Sequence, residues 1–222
     1  MRAFSLLILA SLCWAAAARA GDDTKCMAEI AAAERTMPLP SGALRSIALV
    51  ESGRPIGSRV VPWPWSVNAA GVGRYYASKA EAIGQVEALQ ASGLQSIDVG
   101  CMQVNLASHR SAFRSLDDAF EPAVNVGYAA RFFMSLYQQT GRWTLAMTSY
   151  HSQTPALAAE YGRRLAAVWP QAAAYGLGAA NGPEPVREPP RLGPIRSEGS
   201  SSLLAAALPV HGRAWPSMPM PR

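Results

Sequence analysis

The sequence is poor in the residues that build metal centres and strongly basic surfaces. It has only three histidines in 222 residues, and His109, His151 and His211 lie far apart along the chain. A metal site needs several His, Cys or carboxylate ligands close together, so we expect none. The net charge of +5 is small and no lysine-rich stretch occurs. Because nucleic-acid-binding domains concentrate Lys and Arg on one face, we do not expect nucleic acid as a partner.

Long apolar runs are also scarce, and the clearest one lies at the N-terminus. There "FSLLILASLCW" follows Arg2 and is succeeded by small residues that end in Ala18-Arg19-Ala20. This order is typical of a secretory signal peptide, residues 1–20, cleaved after Ala20. The run is short for a bilayer span, and we expect no membrane span after cleavage. Lipidation of Cys13 is the alternative, but Leu12 stands where that motif has Gly or Ala. The chain is therefore predicted to be exported.

Cysteine is almost absent from the remaining chain, which keeps only Cys26 and Cys101. In an exported protein, an even pair of cysteines indicates a disulfide. Here the bridge would join an N-terminal helix to a distant loop. Two buried free thiols are the alternative.

Residues 21–175 are long enough for one hydrophobic core and are mainly helical in their pattern. Ser78 and Glu81 form a capping box, Gly93 closes the same helix, and Pro155 opens the last one. Between the helices, Trp63, Trp65 and Val67 alternate ahead of a turn, which predicts a small β-hairpin within 62–76. The predicted helices are 24–37, 41–52, 78–93, 121–141, 143–151 and 154–169.

The composition changes after residue 175. Residues 176–222 are rich in proline, glycine, serine and arginine, and such segments bury too little apolar surface to fold alone. We predict a disordered tail, with a short helix conceivable only at "SSLLAAALPV". The tail is either a tether or a segment that docks on a partner protein.

Glu51 is the one acidic residue on the inner face of the helix predicted at 41–52. Placing residues about 100° apart puts it near the middle of an apolar arc, in the last helical turn. Apolar surroundings and the negative end of the helix dipole both disfavour its charged form, so we expect a raised pKa, which suits a general acid. A salt bridge or a frayed helix end is the alternative. We expect Ser41 to cap the helix and Gly53 to stop it in the left-handed conformation.

Three short motifs occur in a fixed order along this helical domain. "ES" at Glu51 and Ser52 comes first, followed by "DVGCMQVN" at residues 98–105 and by "SYHSQTP" at residues 149–155. Together with the signal peptide, they resemble the family 1 lytic transglycosylases of the soluble type. The resemblance covers roughly residues 26–175. It implies a lysozyme-like helical domain, here with a small β-hairpin insertion and the disordered C-terminal tail.

The resemblance also implies roles for individual residues. Glu51 matches the sole catalytic acid/base, and Tyr150 matches a tyrosine whose phenol lies close to that carboxyl. The substrate is implied to be peptidoglycan in the periplasm, with no cofactor. Partner proteins of such enzymes belong to flagellar, secretion or conjugation machines, which would dock through the tail. The implied substrate-binding residues are Ser52, Gly100, Met102, Gln103, Asn105 and His151.

Several positions depart from the family pattern or keep a second interpretation. Cys101 replaces the usual leucine, and His151 replaces the usual asparagine. The hairpin is inserted between the glutamate and the "G-x-M-Q" strip. Its aromatic residues Trp63, Trp65 and Tyr75 stack on sugars or instead pack the hairpin onto the domain.

Two rival functions follow from the same residues. If Asp98 is a second carboxylate in the cleft, rather than a turn-forming residue, the protein is a hydrolase resembling goose-type lysozyme. If catalysis is absent, the protein is a cell-wall-binding scaffold for an envelope-spanning machine. A pure scaffold would not need a carboxyl group on an apolar helix face.

Overall fold

The computed structural model describes residues 21–177, with side chains described to residue 172. The predicted signal peptide and nearly all of the predicted tail lie outside the described residues. Within them the protein is mainly helical, as predicted. The helices are α1 (Asp22–Thr36), α2 (Ala43–Ser52), α3 (Lys79–Ala91), α4 (Leu116–Ala119), α5 (Pro122–Thr140), α6 (Trp143–His151) and α7 (Pro155–Leu177).

The strands form two small antiparallel sheets. One is a hairpin of β1 (Gly53–Ile56) and β2 (Arg59–Pro62), and the other has the order β4-β3-β5-β6. The strands of the second sheet are β3 (Ser66–Ala69), β4 (Val72–Tyr75), β5 (Ile97–Val99) and β6 (Val104–Asn105). The predicted hairpin is therefore confirmed as β3–β4, turning through Ala70 and Gly71 with φ values of 52° and 82°, which is typical of a type I′ turn. The β1–β2 hairpin was not predicted.

Two hydrophobic cores hold these elements together. The larger one joins α1, α2, α5, α6 and α7 around buried residues such as Ile30, Ile47 and Phe133. The smaller one lies between α3, α4 and the larger sheet, around Trp63, Trp65, Val86, Ile97 and Phe120. Side chains of α2 and of the larger sheet meet between the cores, and the candidate site lies at that junction.

The ends of α2 differ from the prediction. Ser41 does not cap the helix; Gly42 is the N-cap and has no side-chain hydrogen bond. Glu34 of α1 supplies the acceptor instead, since its Oε1 accepts from the amide of Arg45 at 3.2 Å. Gly53 is extended, with φ −60° and ψ 117°, rather than left-handed. A Cβ there would lie 2.2 Å from the carbonyl oxygen of Leu49, so the close approach of the chain explains the glycine.

The last helix is longer than predicted. It was expected to end at residue 169, before Pro170, yet α7 continues to Leu177. Proline removes one helical hydrogen bond but does not prevent continuation when other contacts hold the next turn. Gln171 supplies such a contact, because its Nε2 donates to the carbonyl oxygen of Val60 at 3.1 Å. No helix within residues 21–177 combines the length and apolar character that crossing a membrane requires.

Candidate active site

Glu51 lies in the last turn of α2, and its carboxyl group faces inward as the apolar arc predicts. The residue is 8% exposed. Burial raises its pKa to about 7, while the hydrogen bond from Tyr161 and the charge of Arg164 act in the opposite direction. The predicted raised pKa is therefore confirmed. At neutral pH a substantial fraction of the side chain is protonated and able to donate a proton.

Tyr161 of α7 is the direct partner of this carboxyl group. Its phenol donates to Glu51 Oε1 at 2.6 Å, and the ring is buried. Burial and the adjacent Glu51 charge raise the pKa of Tyr161 well above its usual range, so the phenol remains a donor. Sequence reasoning missed Tyr161, which it treated only as part of the last helix. The pairing spans 110 positions, and only its place on the inner face of α7 could have indicated it.

The C-terminal end of α2 is held from two further directions. Arg164 Nη2 donates to the carbonyl oxygen of Val50 at 3.0 Å. Ser52 Oγ donates to the carbonyl oxygen of Cys101 at 2.6 Å. Free carbonyl groups at a helix end need such donors. These contacts fix the backbone on both sides of Glu51 against α7 and against the loop that contains Cys101.

The loop Gly100–Gln103 runs between β5 and β6. Gly100 has φ +80°, and a Cβ there would lie 2.5 Å from Asn125 Nδ2, so both the backbone and the packing require glycine. Asn125 is fully buried and clamps the loop. Its Oδ1 accepts from the amide of Met102 at 2.9 Å, and its Nδ2 donates to the carbonyl oxygen of Val99 at 3.1 Å. Sequence reasoning missed Asn125, which lies in the first turn of α5.

The disulfide predicted from the cysteine count is present. Cys26 of α1 and Cys101 are bonded, with their Cα atoms 5.6 Å apart, within the usual range. Both residues are buried in the larger core. The bridge therefore anchors the loop Gly100–Gln103 to α1, in addition to the hydrogen bonds from Asn125.

An open recess separates Glu51 from the larger sheet. Gln103 projects its amide here, donating through Nε2 to the carbonyl oxygens of Gly100 at 3.0 Å and Ser66 at 3.2 Å. The recess combines one protonatable carboxyl group with backbone and side-chain polar groups on a β-sheet. The residues lining it are Glu51, Ser66, Val67, Gly73, Arg74, Tyr75 and Gln103.

Tyr150 and His151 lie at the end of α6, as the motif predicts. The Tyr150 phenol donates to the carbonyl oxygen of Met102 at 2.9 Å rather than to Glu51. Burial, followed by the Glu51 charge, raises the Tyr150 pKa well above its usual range. The His151 ring stacks on Tyr161, with centroids 4.9 Å apart, and burial lowers its pKa. His151 thus contacts the residue that holds Glu51.

Three residues predicted to contact sugars are buried instead. Trp63 and Trp65 are each 4% exposed, so their ring faces cannot stack on a sugar. Trp63 Nε1 donates to the carbonyl oxygen of Tyr76, and Trp65 Nε1 donates to Asp22. Met102 is fully buried in the larger core, so its side chain cannot touch substrate. The implied substrate contact of Met102 is thus corrected. For Trp63 and Trp65 the packing alternative holds, because a small sheet needs a hydrophobic anchor. Tyr75 differs, since it borders the recess.

Asp98 lies on β5, opposite Asn68 of β3 and Asn105 of β6. Its two carboxylate oxygens accept from the Asn68 and Asn105 side-chain amides, each at 2.8 Å. Burial raises the Asp98 pKa, although both hydrogen bonds oppose the shift. Asn105 Oδ1 also accepts from the amides of Ala107 and Ser108. Asp98 is therefore held on the sheet, and its charge raises the pKa of Glu51 slightly.

The described part of the chain, residues 21–177, contains no group of three or more His, Cys, Asp or Glu side chains placed to hold a metal ion.

Comparison with known proteins gives one finding. Residues 77–166 match the family model described as "Transglycosylase SLT domain". Neither the curated proteins nor the solved structures give a match. The matched span is less than half of the chain and contains Gly100, Gln103, Tyr150 and Tyr161, whereas Glu51 precedes it. Tyr161 lies within the matched segment, and its hydrogen bond connects Glu51 to that segment. Through residues 77–166 the chain is similar to the lysozyme-like transglycosylase SLT domains, and this likeness supports a lytic activity on peptidoglycan.

Proposed function

We propose that this protein is an exported, periplasmic lytic transglycosylase of the soluble family 1 type. It cleaves the β-1,4 bond between N-acetylmuramic acid and N-acetylglucosamine without using water. One observation carries the proposal: Glu51 combines a buried carboxyl of pKa about 7 with a position on an open recess. The Tyr161 hydrogen bond attaches that carboxyl to the segment that matches the SLT domain model.

In the proposed reaction, one carboxyl group performs two proton transfers. Protonated Glu51 donates to the bridging oxygen, and the bond from that oxygen to the anomeric carbon of N-acetylmuramic acid breaks. The C6 hydroxyl of the same sugar then attacks the anomeric carbon, and the Glu51 carboxylate accepts its proton. The products are a free N-acetylglucosamine hydroxyl and a 1,6-anhydro ring. Attack within one sugar has a high effective molarity, so a second catalytic carboxylate is unnecessary.

The neighbouring residues support this cycle in different ways. The Tyr161 phenol stabilises the charged form of Glu51 after the first transfer. Ser52 and Gly100 fix the backbone beside the carboxyl group, and Gln103 presents its amide to the recess. Tyr150 orders the same loop through Met102.

Product analysis tests the proposal directly. Purified peptidoglycan is digested with the protein, and the released muropeptides are separated and weighed. We expect products that are lighter by one water than the corresponding reducing-end muropeptides. If the products carry reducing ends only, the protein is a hydrolase, and the lytic proposal is wrong. If the digest releases nothing at all, the scaffold hypothesis is favoured instead.

A hydrolase is the second candidate because Asp98 supplies another carboxyl group near Glu51. Ordinary glycosidases use two such groups, one as acid and one to activate water or attack the sugar. The charge of Asp98 reaches Glu51, since it contributes to the raised Glu51 pKa. However, both Asp98 oxygens already accept hydrogen bonds within the sheet, which favours a positioning role.

Tyr161→Phe is expected to shift the alkaline limb of the pH–rate profile. The Tyr161 hydrogen bond lowers the pKa of Glu51, so its loss raises that pKa further. Because Glu51 must be protonated to act as the acid, the fall in kcat/KM should move upward by about one pH unit. The rate at the optimum should also decrease because the carboxyl is less well positioned.

The matched control is Tyr137→Phe. Tyr137 stacks on Trp143, with ring centroids 3.9 Å apart, and has no contact with Glu51 among the described residues. The Tyr137→Phe protein should have the same alkaline limb of the pH–rate profile as wild type. An unchanged alkaline limb in Tyr161→Phe would show that the Tyr161 hydrogen bond does not control the pKa of Glu51.

A further inference from the structure

Strand β4 is an edge strand that borders the recess. The larger sheet has the order β4-β3-β5-β6, so β4 has a strand neighbour on one side only. Gly73, Arg74 and Tyr75 of β4 line the recess together with Glu51. The hairpin that carries this edge is the insertion between Glu51 and the Gly100–Gln103 loop.

Two residues of β4 direct their backbone groups away from the sheet. The Tyr76 amide donates to the carbonyl oxygen of Trp65 at 2.9 Å, which identifies these two residues as a hydrogen-bonded pair. Hydrogen-bonded and non-bonded pairs alternate along an antiparallel ladder. Arg74 and Val72 therefore bond to β3, whereas the amide and carbonyl groups of Gly73 and Tyr75 point outward. Among residues 21–177 no backbone group is paired with them.

The same edge carries an available positive charge. Arg74 is exposed, and no carboxylate of the described residues forms an ion pair with it. Unpaired edge amides next to a cleft are a docking surface for an extended peptide, and a nearby cation selects one that is acidic. Peptidoglycan offers such a peptide, because its muramic acid residues bear short stem peptides with free carboxylates.

We propose that the outer edge of β4 binds the stem peptide of the glycan strand. The backbone groups of Gly73 and Tyr75, spaced roughly 7 Å apart as alternate strand residues, hydrogen-bond to stem amides, and Arg74 pairs with a stem carboxylate. This inference rests on the proposed function and adds to it a preference for strands that still carry their stems. The N-acetyl groups of the sugars are the competing occupants.

Paired substrates test the preference. Glycan strands with intact stems are compared with strands from which an amidase has removed the stems. Arg74→Gln is expected to lower kcat/KM about fivefold on the first substrate and by a clearly smaller factor on the second, because only the first offers a stem carboxylate to pair with Arg74. Gly73→Pro removes one outward amide, a change that an edge strand tolerates, and should act in the same direction. Arg163→Gln, at an exposed position of α7, is the control and should alter neither rate.

A binding measurement makes the result independent of catalysis. A synthetic stem tetrapeptide is titrated into the labelled protein, and the amide resonances of Gly73 and Tyr75 are followed by NMR. We expect them to shift in the wild-type protein and to shift much less in Arg74→Gln or with a tetrapeptide whose carboxylates are amidated. Resonances that do not move overturn the edge proposal, as does an equal loss of activity on both substrates. Failure to form anhydro ends would instead reject the proposed function, and the titration would still decide the edge proposal.

Discussion

Glu51→Gln is expected to lower the release of 1,6-anhydromuropeptides by at least about a thousandfold. Gln has nearly the same shape and still accepts the Tyr161 hydrogen bond, but it cannot donate a proton to the bridging oxygen. General acid–base catalysis contributes roughly a hundredfold to ten-thousandfold to enzymatic rates. In the proposed mechanism this one group performs both proton transfers. The loss of rate in Glu51→Gln should therefore lie in the upper part of that range.

The measurement is the muropeptide assay, with variant and wild type at equal concentration and with folding checked by circular dichroism. Glu87→Gln is the matched control, because Glu87 is an exposed acid on α3 and its neutralisation should leave the rate unchanged. A Glu51→Gln protein with more than a few per cent of the wild-type rate would contradict the proposed role of Glu51.

The same substitution is expected to increase stability at alkaline pH. The Glu51 pKa is about 7 in the folded protein and 4.5 as its ordinary value. The folded state therefore binds this proton more tightly than the unfolded state. The contribution of Glu51 to stability is therefore largest below pH 4.5, decreases between pH 4.5 and about 7 and levels off above that, with a total decrease on the order of 3 kcal/mol. Gln does not titrate, so the variant should unfold at a higher temperature than wild type at pH 8.

Comparison across pH separates this effect from other titrations. Glu34 also has a raised pKa, but it titrates in both proteins, and its contribution cancels in the difference. The Tm advantage of Glu51→Gln should shrink toward zero as the pH approaches 4.5. A constant difference across pH would mean that the Glu51 carboxyl group is not held in a buried, protonated state.

Loss of the Cys26–Cys101 disulfide is the second change with a large expected effect. The bonded residues are 75 positions apart, so opening the bridge greatly increases the freedom of the unfolded chain. Loop-closure entropy predicts a loss of about 4 kcal/mol in the free energy of unfolding. A substantial fraction of the stability of a domain of this size would disappear.

Chemical denaturation of Cys26→Ala/Cys101→Ala against wild type measures this loss. Activity should fall as well, because the bridge anchors the loop that receives the Ser52 hydrogen bond. Alkylation of the denatured mature protein should label no thiol without reductant and two after reduction. Two labelled thiols before reduction would refute the bridge.

Local sequence features predicted much of the helical framework correctly. Ser78 caps α3, accepting from the Glu81 amide at 3.2 Å, and Gly93 follows it with φ +92°. The inward direction of Glu51 and its raised pKa also followed from helix periodicity. Each of these features depends on residues within about one helical turn of each other, so the local sequence is sufficient to predict it.

Features that involve distant parts of the chain were missed or assigned incorrectly. The acceptor at the start of α2 comes from Glu34 rather than from Ser41. The burial of Trp63 and Trp65 was left open; Trp65 Nε1, for example, finds its partner Asp22 on α1, 43 positions away. The β1–β2 hairpin was missed because β1, with the sequence GRPI, contains a glycine and a proline, which are depleted in strands.

The sequence by itself determined every described helix except the short α4, together with the inserted β3–β4 hairpin, the cysteine pair and the acid that faces the core. The tertiary structure alone decided which groups surround that acid. Tyr161 is 110 residues from Glu51, and Asn125 is 26 residues from the Val99 carbonyl that it holds. Helical periodicity indicates which side of a helix faces inward. The partner that a polar group meets there depends on how the helices and sheet pack, because a buried hydrogen bond requires two specific atoms within about 3 Å.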